Sequence, residues 1–261
     1  MPYQFATERQ DYSDLSSGRV LYSLPGHPAF PIRLTSEIFQ RCLAARRARG
    51  LKAPPVIYDP CCGSAYHLVT LAYLHWDAIG RIIASDIDPE ALCVAQRNLG
   101  LLTLAGLDQR IQELAEMQAA YGKASHTAAI DSARRLKKLH AFQFTEHALD
   151  YRLFLADATC SATLLAELGD AAVDVVISDV PYGRHSTWQL GDPPTSPEAS
   201  SAPPRPPLWR MLDALQTVLR PTAIVAIASD KGQRVAHPGY QRVARFQIGK
   251  RQVVLIEPRT P

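Results

Sequence analysis

The chain has 261 residues, 47% of them hydrophobic and 20% charged, with a formal net charge of +3. That is enough apolar material for one substantial core, and the mild excess of cations, with a pI of about 8.6, permits a nucleic-acid partner without demanding one. Five cysteines, none in a CxxC pair, argue against a disulfide framework or a zinc site and fit a reducing cytoplasm; no apolar run approaches the length of a membrane span, no signal peptide opens the chain, and the eight histidines have no metal-ligand spacing.

Residues 1–33 read as irregular, with Pro25, Pro28 and Pro31 close together. A helix is expected from Thr35 or Ser36 to Arg49, with Ile38, Phe39, Leu43 and Ala44 along one side; together residues 1–50 form an N-terminal extension. Val56 to Tyr58 reads as a buried strand, His67 to Trp76 as a helix and Arg81 to Ser85 as a second strand. Pro89 suits the first turn of a helix that runs on through Leu99. Alternating strands and helices predict a parallel sheet covered on both faces. Residues 101–140 interrupt the rhythm with two apolar helix faces separated by Gly122, which predicts an inserted helical hairpin. The third strand is expected at Tyr151 to Ala156 and a short helix at Ala162 to Leu168. Val173 to Ser178 is an apolar run of the buried parallel type. A proline-rich loop covers 184–207, followed by a helix from Leu208 to Leu219, a strand from Ala223 to Ala228 and a terminal hairpin turning at Gly249-Lys250. The expected fold is one α/β domain over residues 1–261, a Rossmann-like, seven-stranded, mostly parallel sheet ending in an antiparallel hairpin. That ending is unlike a nicotinamide-binding domain, and no full GxGxxG is present.

Chemistry concentrates at the carboxyl ends of these strands. Asp59-Pro60-Cys61-Cys62-Gly63-Ser64-Ala65 leaves the first strand as a turn of small residues, which lets backbone N–H groups approach a polar ligand. Asp86, with Ile87 beside it, ends the second strand at the spacing that places a carboxylate on a ribose diol. Asp157, flanked by Ala158, ends the third strand where it could meet an adenine amine. Each aspartate alone is a common turn residue; three at consecutive strand ends around the switch point favour S-adenosylmethionine. Ala65 is expected to sit comfortably at the start of the helix.

Asp179-Val180-Pro181-Tyr182-Gly183 closes the fourth strand. Asp179 can accept from a planar amine, the Val180 carbonyl can accept a second proton where Pro181 stiffens the turn, and Tyr182 can stack on the ring; base–aromatic stacking is worth about 1–3 kcal/mol. The bland reading is a strand-to-loop turn. Cys61 and Cys62 invite a thiolate nucleophile, but their place in the cofactor turn favours packing. His185 follows the motif and reads as a surface residue, and Cys160 as a helix-start packing residue. Basic clusters at Arg41, Arg46, Arg47, Arg49 and Lys52, and at Arg134, Arg135, Lys137 and Lys138, read equally as RNA contacts or as cations at helix ends.

The motifs resemble those of class I S-adenosylmethionine-dependent methyltransferases. Asp59 to Ser64, Ser85 to Pro89 and Ser178 to Gly183 are similar to the three motifs of RNA guanine-N2 methyltransferases. Pro25 to Leu34, Ser36 to Arg41, the paired cysteines and the helical insertion resemble the avilamycin-resistance rRNA methyltransferase family, AviRa-type, over nearly the whole chain. The resemblance implies methylation of a guanine N2 in 23S rRNA, orthosomycin resistance, and extra helices that contact the large ribosomal subunit. Cysteine and histidine usage lead us to expect a cytoplasmic protein without metal, which we take as a monomer, and Asp179, Val180, Pro181 and Tyr182 are expected to act on the base. The remaining set, Asp59, Cys61, Cys62, Gly63, Ser64, Asp86, Ile87, Asp157 and Ala158, together with Asp179, holds the cofactor. Adenine-N6 or protein-glutamine methylation, or a non-catalytic assembly role, are the alternatives a similar motif leaves open.

Overall fold

The computed structural model describes residues 3–25, 29–143, 148–181, 188 and 205–259. Seven strands form one sheet in the order β3-β2-β1-β4-β5-β7-β6. They are β1 (Val56–Asp59), β2 (Arg81–Asp86), β3 (Asp150–Leu155), β4 (Val173–Asp179), β5 (Leu219–Asp230), β6 (Tyr240–Ile248) and β7 (Arg251–Pro258). The first five run parallel; β7 pairs antiparallel with both β5 and β6. Strand order reverses between β1 and β4, the point at which open α/β sheets bind ligands.

Alternate residues of the central strands feed opposite cores. Ile57, Ile82, Val175, Ile177 and Ile224 face one side, with α1 (Ile32–Arg47), α2 (Tyr66–His75) and α3 (Pro89–Gly100). Tyr58, Ile83, Val176, Val225 and Ile227 face the other, with α6 (Ser161–Leu168) and α7 (Pro207–Leu215). The period-2 alternation of a strand makes this division automatic once the sheet is covered on both faces.

Between α3 and β3 the chain forms an antiparallel pair, α4 (Leu104–Tyr121) and α5 (Ala124–Gln143). Thr103 caps α4 by accepting from the Gly106 N–H, and Gly122 adopts φ 61° where α4 ends. Leu107, Leu114, Ala129, Ile130, Ala133 and Leu136 are buried and join the pair to the first core. Its basic surface is largely neutralised. Arg134 lies 3.8 Å from Asp131, Arg135 2.6 Å from Asp14, and Lys137 pairs with Asp108. In the first basic cluster, Arg41 pairs with Glu37, Arg46 with buried Asp174, and Arg49 with Glu257. Part of each run is thus paired with carboxylates, while Arg47, Lys52 and Lys138 have no ion pair among the described residues.

Three details depart from the sequence expectations. Helix α1 starts at Ile32, following Pro31, rather than at Thr35 or Ser36. Helix α7 ends at Leu215, and β5 begins at Leu219 because Val173 pairs there before a register shift. That irregularity carries Pro221, which cannot donate to a regular ladder. The third departure is Ala65, which has φ 54° and ψ 20°, the left-handed region. It is not the comfortable helical alanine expected, because the turn reverses here so that the Ala65 N–H can donate to the Cys62 carbonyl at 2.7 Å.

Candidate functional site

A cleft of about 380 Å³ opens at the carboxyl edge of the sheet, within the size range of small-molecule sites. Its floor is the β1–α2 turn, where Pro60, Cys61, Cys62, Gly63 and Ser64 line the space. The Cys62 N–H donates to the Ser85 carbonyl at 2.9 Å, and the Gly63 N–H to Asp86 Oδ2 at 2.7 Å. Gly63 takes φ 52°, a conformation glycine adopts without steric cost. These bonds stitch the turn to β2, so the two strand ends present one rigid surface.

Asp86 is gripped from both sides, since its Oδ1 also accepts from the Asp88 N–H at 3.1 Å. Each carboxylate oxygen has a second lone pair, which leaves capacity for a diol. Burial pushes the Asp86 carboxyl above its usual range, against the pull of the backbone donors. Asp157, Ala156 and Ala158 line the next portion of the cleft, and Asp157 Oδ1 accepts from the Thr159 N–H at 2.8 Å. Asp179, Val180 and Pro181 line the far end; the Val180 N–H donates to the Ala228 carbonyl at 3.2 Å, anchoring the motif to β5. Tyr182, Gly183, His185 and all of the 184–207 loop except Trp188 and the stretch from 205 onward lie outside the described residues, as do residues 26–28.

Among the described predicted site residues, Asp59 does not line the cleft. It is fully buried beneath the turn, where its Oδ1 accepts from the Cys61 N–H at 3.1 Å and its Oδ2 lies 3.1 Å from His67 Nε2. Burial favours the neutral imidazole, but the Asp59 carboxylate outweighs it and holds the His67 pKa above the ordinary value. Burial, together with the Asp59 and Asp86 carboxylates, drives the Cys61 and Cys62 thiols well above their usual range, which disfavours a thiolate at either. Cys160 stands at the N-cap of α6.

Several contributors were not among the predicted site residues, although Ala29 and Phe30 lie in the stretch that carries the family resemblance. Ser17, Leu24, Ala29 and Phe30 bring the N-terminal extension over the cleft as a wall. Buried Asn98 of α3 ties that wall to the floor, accepting from the Tyr22 N–H at 2.8 Å and donating to the Tyr22 and Ser64 carbonyls at 3.0 and 2.9 Å. Arg251, the first residue of β7, lines the cleft with its Nε 4.0 Å from Asp179 Oδ1. His67 had a local hint, lying in the first turn of the helix that follows the cofactor turn. Among the described residues no group of three metal-ligating side chains comes together, and no described helix is long and apolar enough to cross a membrane.

The donor set fits S-adenosylmethionine. Asp86 suits a ribose diol, Asp157 an adenine amine, and the 60–64 turn brings backbone close to a polar chain at the switch point. Fold and site define a class I S-adenosylmethionine-dependent methyltransferase. The profile of the rRNA methyltransferase AviRa family matches residues 1–251. The chain is 39% identical over 254 residues to a Streptomyces viridochromogenes protein named 23S rRNA (guanine(2535)-N(1))-methyltransferase, covering 97% of this chain and 95% of that one. Two solved structures of the rRNA methyltransferase AviRa from the same organism superpose with TM-scores of 0.81 and 0.82, at 37% and 36% identity, over 98% of this chain and 96% of theirs. The chain belongs to the AviRa rRNA methyltransferase family. The relative's name gives guanine N1 where the motif resemblance implied N2.

Proposed function

We propose that the protein methylates N1 of a guanine in 23S rRNA. The observation that carries this reading is the 39% identity, spread over 97% of the chain, to a relative named for that reaction, combined with a carboxylate, Asp179, at the far end of the cofactor cleft. S-adenosylmethionine, when bound, supplies a methyl group on a sulfonium sulfur that leaves neutral with its bonding pair. The chain's residues supply position and a proton acceptor. Asp86 holds the ribose, Asp157 the adenine amine, and Cys61, Cys62, Gly63 and Ser64 shape the floor beneath the methionine part, with Ile87 and Ala158 packing beside the nucleoside.

Guanine N1 bears a proton, and its in-plane electron pair becomes nucleophilic only as that proton departs. Asp179 accepts the proton while the N1 pair forms the new N–C bond. The Val180 carbonyl accepts from the neighbouring N2 amine, Pro181 stiffens the turn and Tyr182 stacks on the base. A paired guanine must leave its stack to bring this edge into the cleft. The same two acceptors suit N2 as the attacked atom, the position the motif resemblance implies. Orthosomycin resistance belongs to the same proposal and is read from drug susceptibility of a host with and without the gene.

The deciding experiment incubates the purified protein with labelled S-adenosylmethionine and unmodified 23S rRNA or large subunits, then separates nucleosides against N1- and N2-methylguanosine standards by mass spectrometry. N1-methylguanosine is the expected product. N2-methylguanosine moves the attacked atom and keeps the roles, whereas label in adenosine or in protein overturns the guanine assignment.

A further inference from the structure

Among the described residues on this cleft, Arg251 is a charged residue that neither the cofactor nor the motif accounts for. Its Nε stands 4.0 Å from Asp179 Oδ1, and its guanidinium carbon lies 5.3 Å from the centroid of the Phe30 ring. The side chains of Arg251 and Asp179 are 26% and 23% exposed, so both are largely shielded yet open to the cleft. At 4.0 Å the pair attracts without a direct hydrogen bond. Arg251 Nε is buried and makes no hydrogen bond among the described residues. The strand pairing of β7 uses backbone groups and does not explain this side chain. A guanidinium carries five donors in a fixed fork, and the Phe30 ring limits where the fork can point.

The Watson–Crick edge of guanine presents, in order, an N2 amine, an N1–H and the O6 acceptor. Two acceptors, Asp179 and the Val180 carbonyl, answer the two donors, and O6 calls for a donor beside Asp179. Arg251 is a donor at that place. Adenine carries an amine where guanine carries O6 and would meet the fork donor to donor. When N1 gives up its proton, negative charge spreads onto O6, so a cation there stabilises the nucleophile itself. Attack by N2 develops no such charge on O6. We infer that Arg251 contacts O6 of the target guanine and thereby selects guanine over adenine and N1 over N2; this rests on the proposed reading of the site as a guanine methyltransferase.

The test is a double-substitution cycle on an rRNA fragment that the wild-type protein methylates. The target guanine is replaced by 6-thioguanine, which keeps both donors and exchanges O6 for a weakly accepting sulfur. Binding of each RNA and single-turnover methylation across pH are measured for the wild type, Arg251→Gln and Arg251→Lys, with cofactor affinity and thermal midpoint as controls on the fold. The wild type should favour guanine by about tenfold or more, and Arg251→Gln should erase that preference. Arg251→Gln should also slow transfer near neutral pH by about 10²–10³-fold, with the deficit shrinking as pH rises and N1 ionises unaided. Arg251→Lys keeps a cation and the aliphatic stem over Phe30, and should fall between the two. Unchanged discrimination in both variants, or a loss equal for both RNAs at every pH, overturns the inference and makes Arg251 a backbone or structural contact. Failure of the wild type to methylate any guanine instead overturns the underlying reading of the site.

Discussion

His67 Nε2 lies 3.1 Å from Asp59 Oδ2, and both side chains are buried directly beneath the turn that forms the cofactor floor. The His67 pKa is raised in the folded protein, because the carboxylate overcomes the desolvation that burial imposes. A raised histidine contributes stability that is fully present below its unfolded value, about 6.5, and is lost as pH rises through the higher folded value. Removing the ring also leaves the Asp59 carboxylate buried without its partner. His67→Phe is therefore expected to cost about 3 kcal/mol or more at pH 6. Urea unfolding from pH 5.5 to 8.5 checks both claims: the gap between wild type and variant should narrow toward the alkaline end.

Asp179 reaches the same cleft from β4, at its far end from the turn that forms the floor. Asp179→Ala should lower turnover by about 10²–10⁴-fold, the usual worth of a positioned proton acceptor, while calorimetric affinity for S-adenosylmethionine stays within a few-fold of wild type. Loss of cofactor binding along with activity would leave Asp179 only the cofactor-holding role that the family resemblance implies.

Ala65 has a positive φ, 54°, in a fully buried position. Two effects oppose one another at this site. The left-handed conformation costs an alanine about 1–2 kcal/mol relative to glycine, and the buried methyl returns about 0.8 kcal/mol. Ala65→Gly should thus leave thermal stability within about 1 kcal/mol of wild type or raise it slightly. Ala65→Val adds a β-branched side chain to the same φ in a filled site and should cost about 2 kcal/mol or more. Denaturant titration of the three proteins ranks them directly.

Asn98 joins α3 to Tyr22 of the N-terminal wall and to Ser64 of the cofactor floor. Asn98→Ala strands the half-buried Tyr22 N–H and the two carbonyls, at about 1–3 kcal/mol for an unsatisfied group shielded from water. The expected result is faster proteolytic cleavage within residues 1–30 and weaker cofactor affinity, with the sheet's far-ultraviolet dichroism unchanged. A variant as protease-resistant as the wild type would detach the wall from Asn98.

The sequence by itself determined the sheet and its ligand edge. Val56-Ile57-Tyr58 and Val173 to Ser178 are buried on both faces, so their apolar runs were readable without knowing the neighbours, and the aspartates that end the strands followed by position. Ala65 shows where local reasoning failed. Its conformation comes from the Ala65–Cys62 hydrogen bond and the stitching of the turn to β2, a constraint from a partner strand that no local propensity encodes. The place of Arg251, Asn98 and Phe30 at the cleft went unread for a related reason. Each stands far along the chain from Asp179 or Ser64 and joins the site only through the antiparallel return of β7, the packing of α3 or the path of the N-terminal wall. In the basic clusters, Asp14, Asp108 and Glu257, remote in sequence, pair with Arg135, Lys137 and Arg49, partners that a local reading does not supply. Short-range periodicity encodes which residues are buried; which charges meet depends on distances set by the folded sheet, and only the tertiary structure decided those.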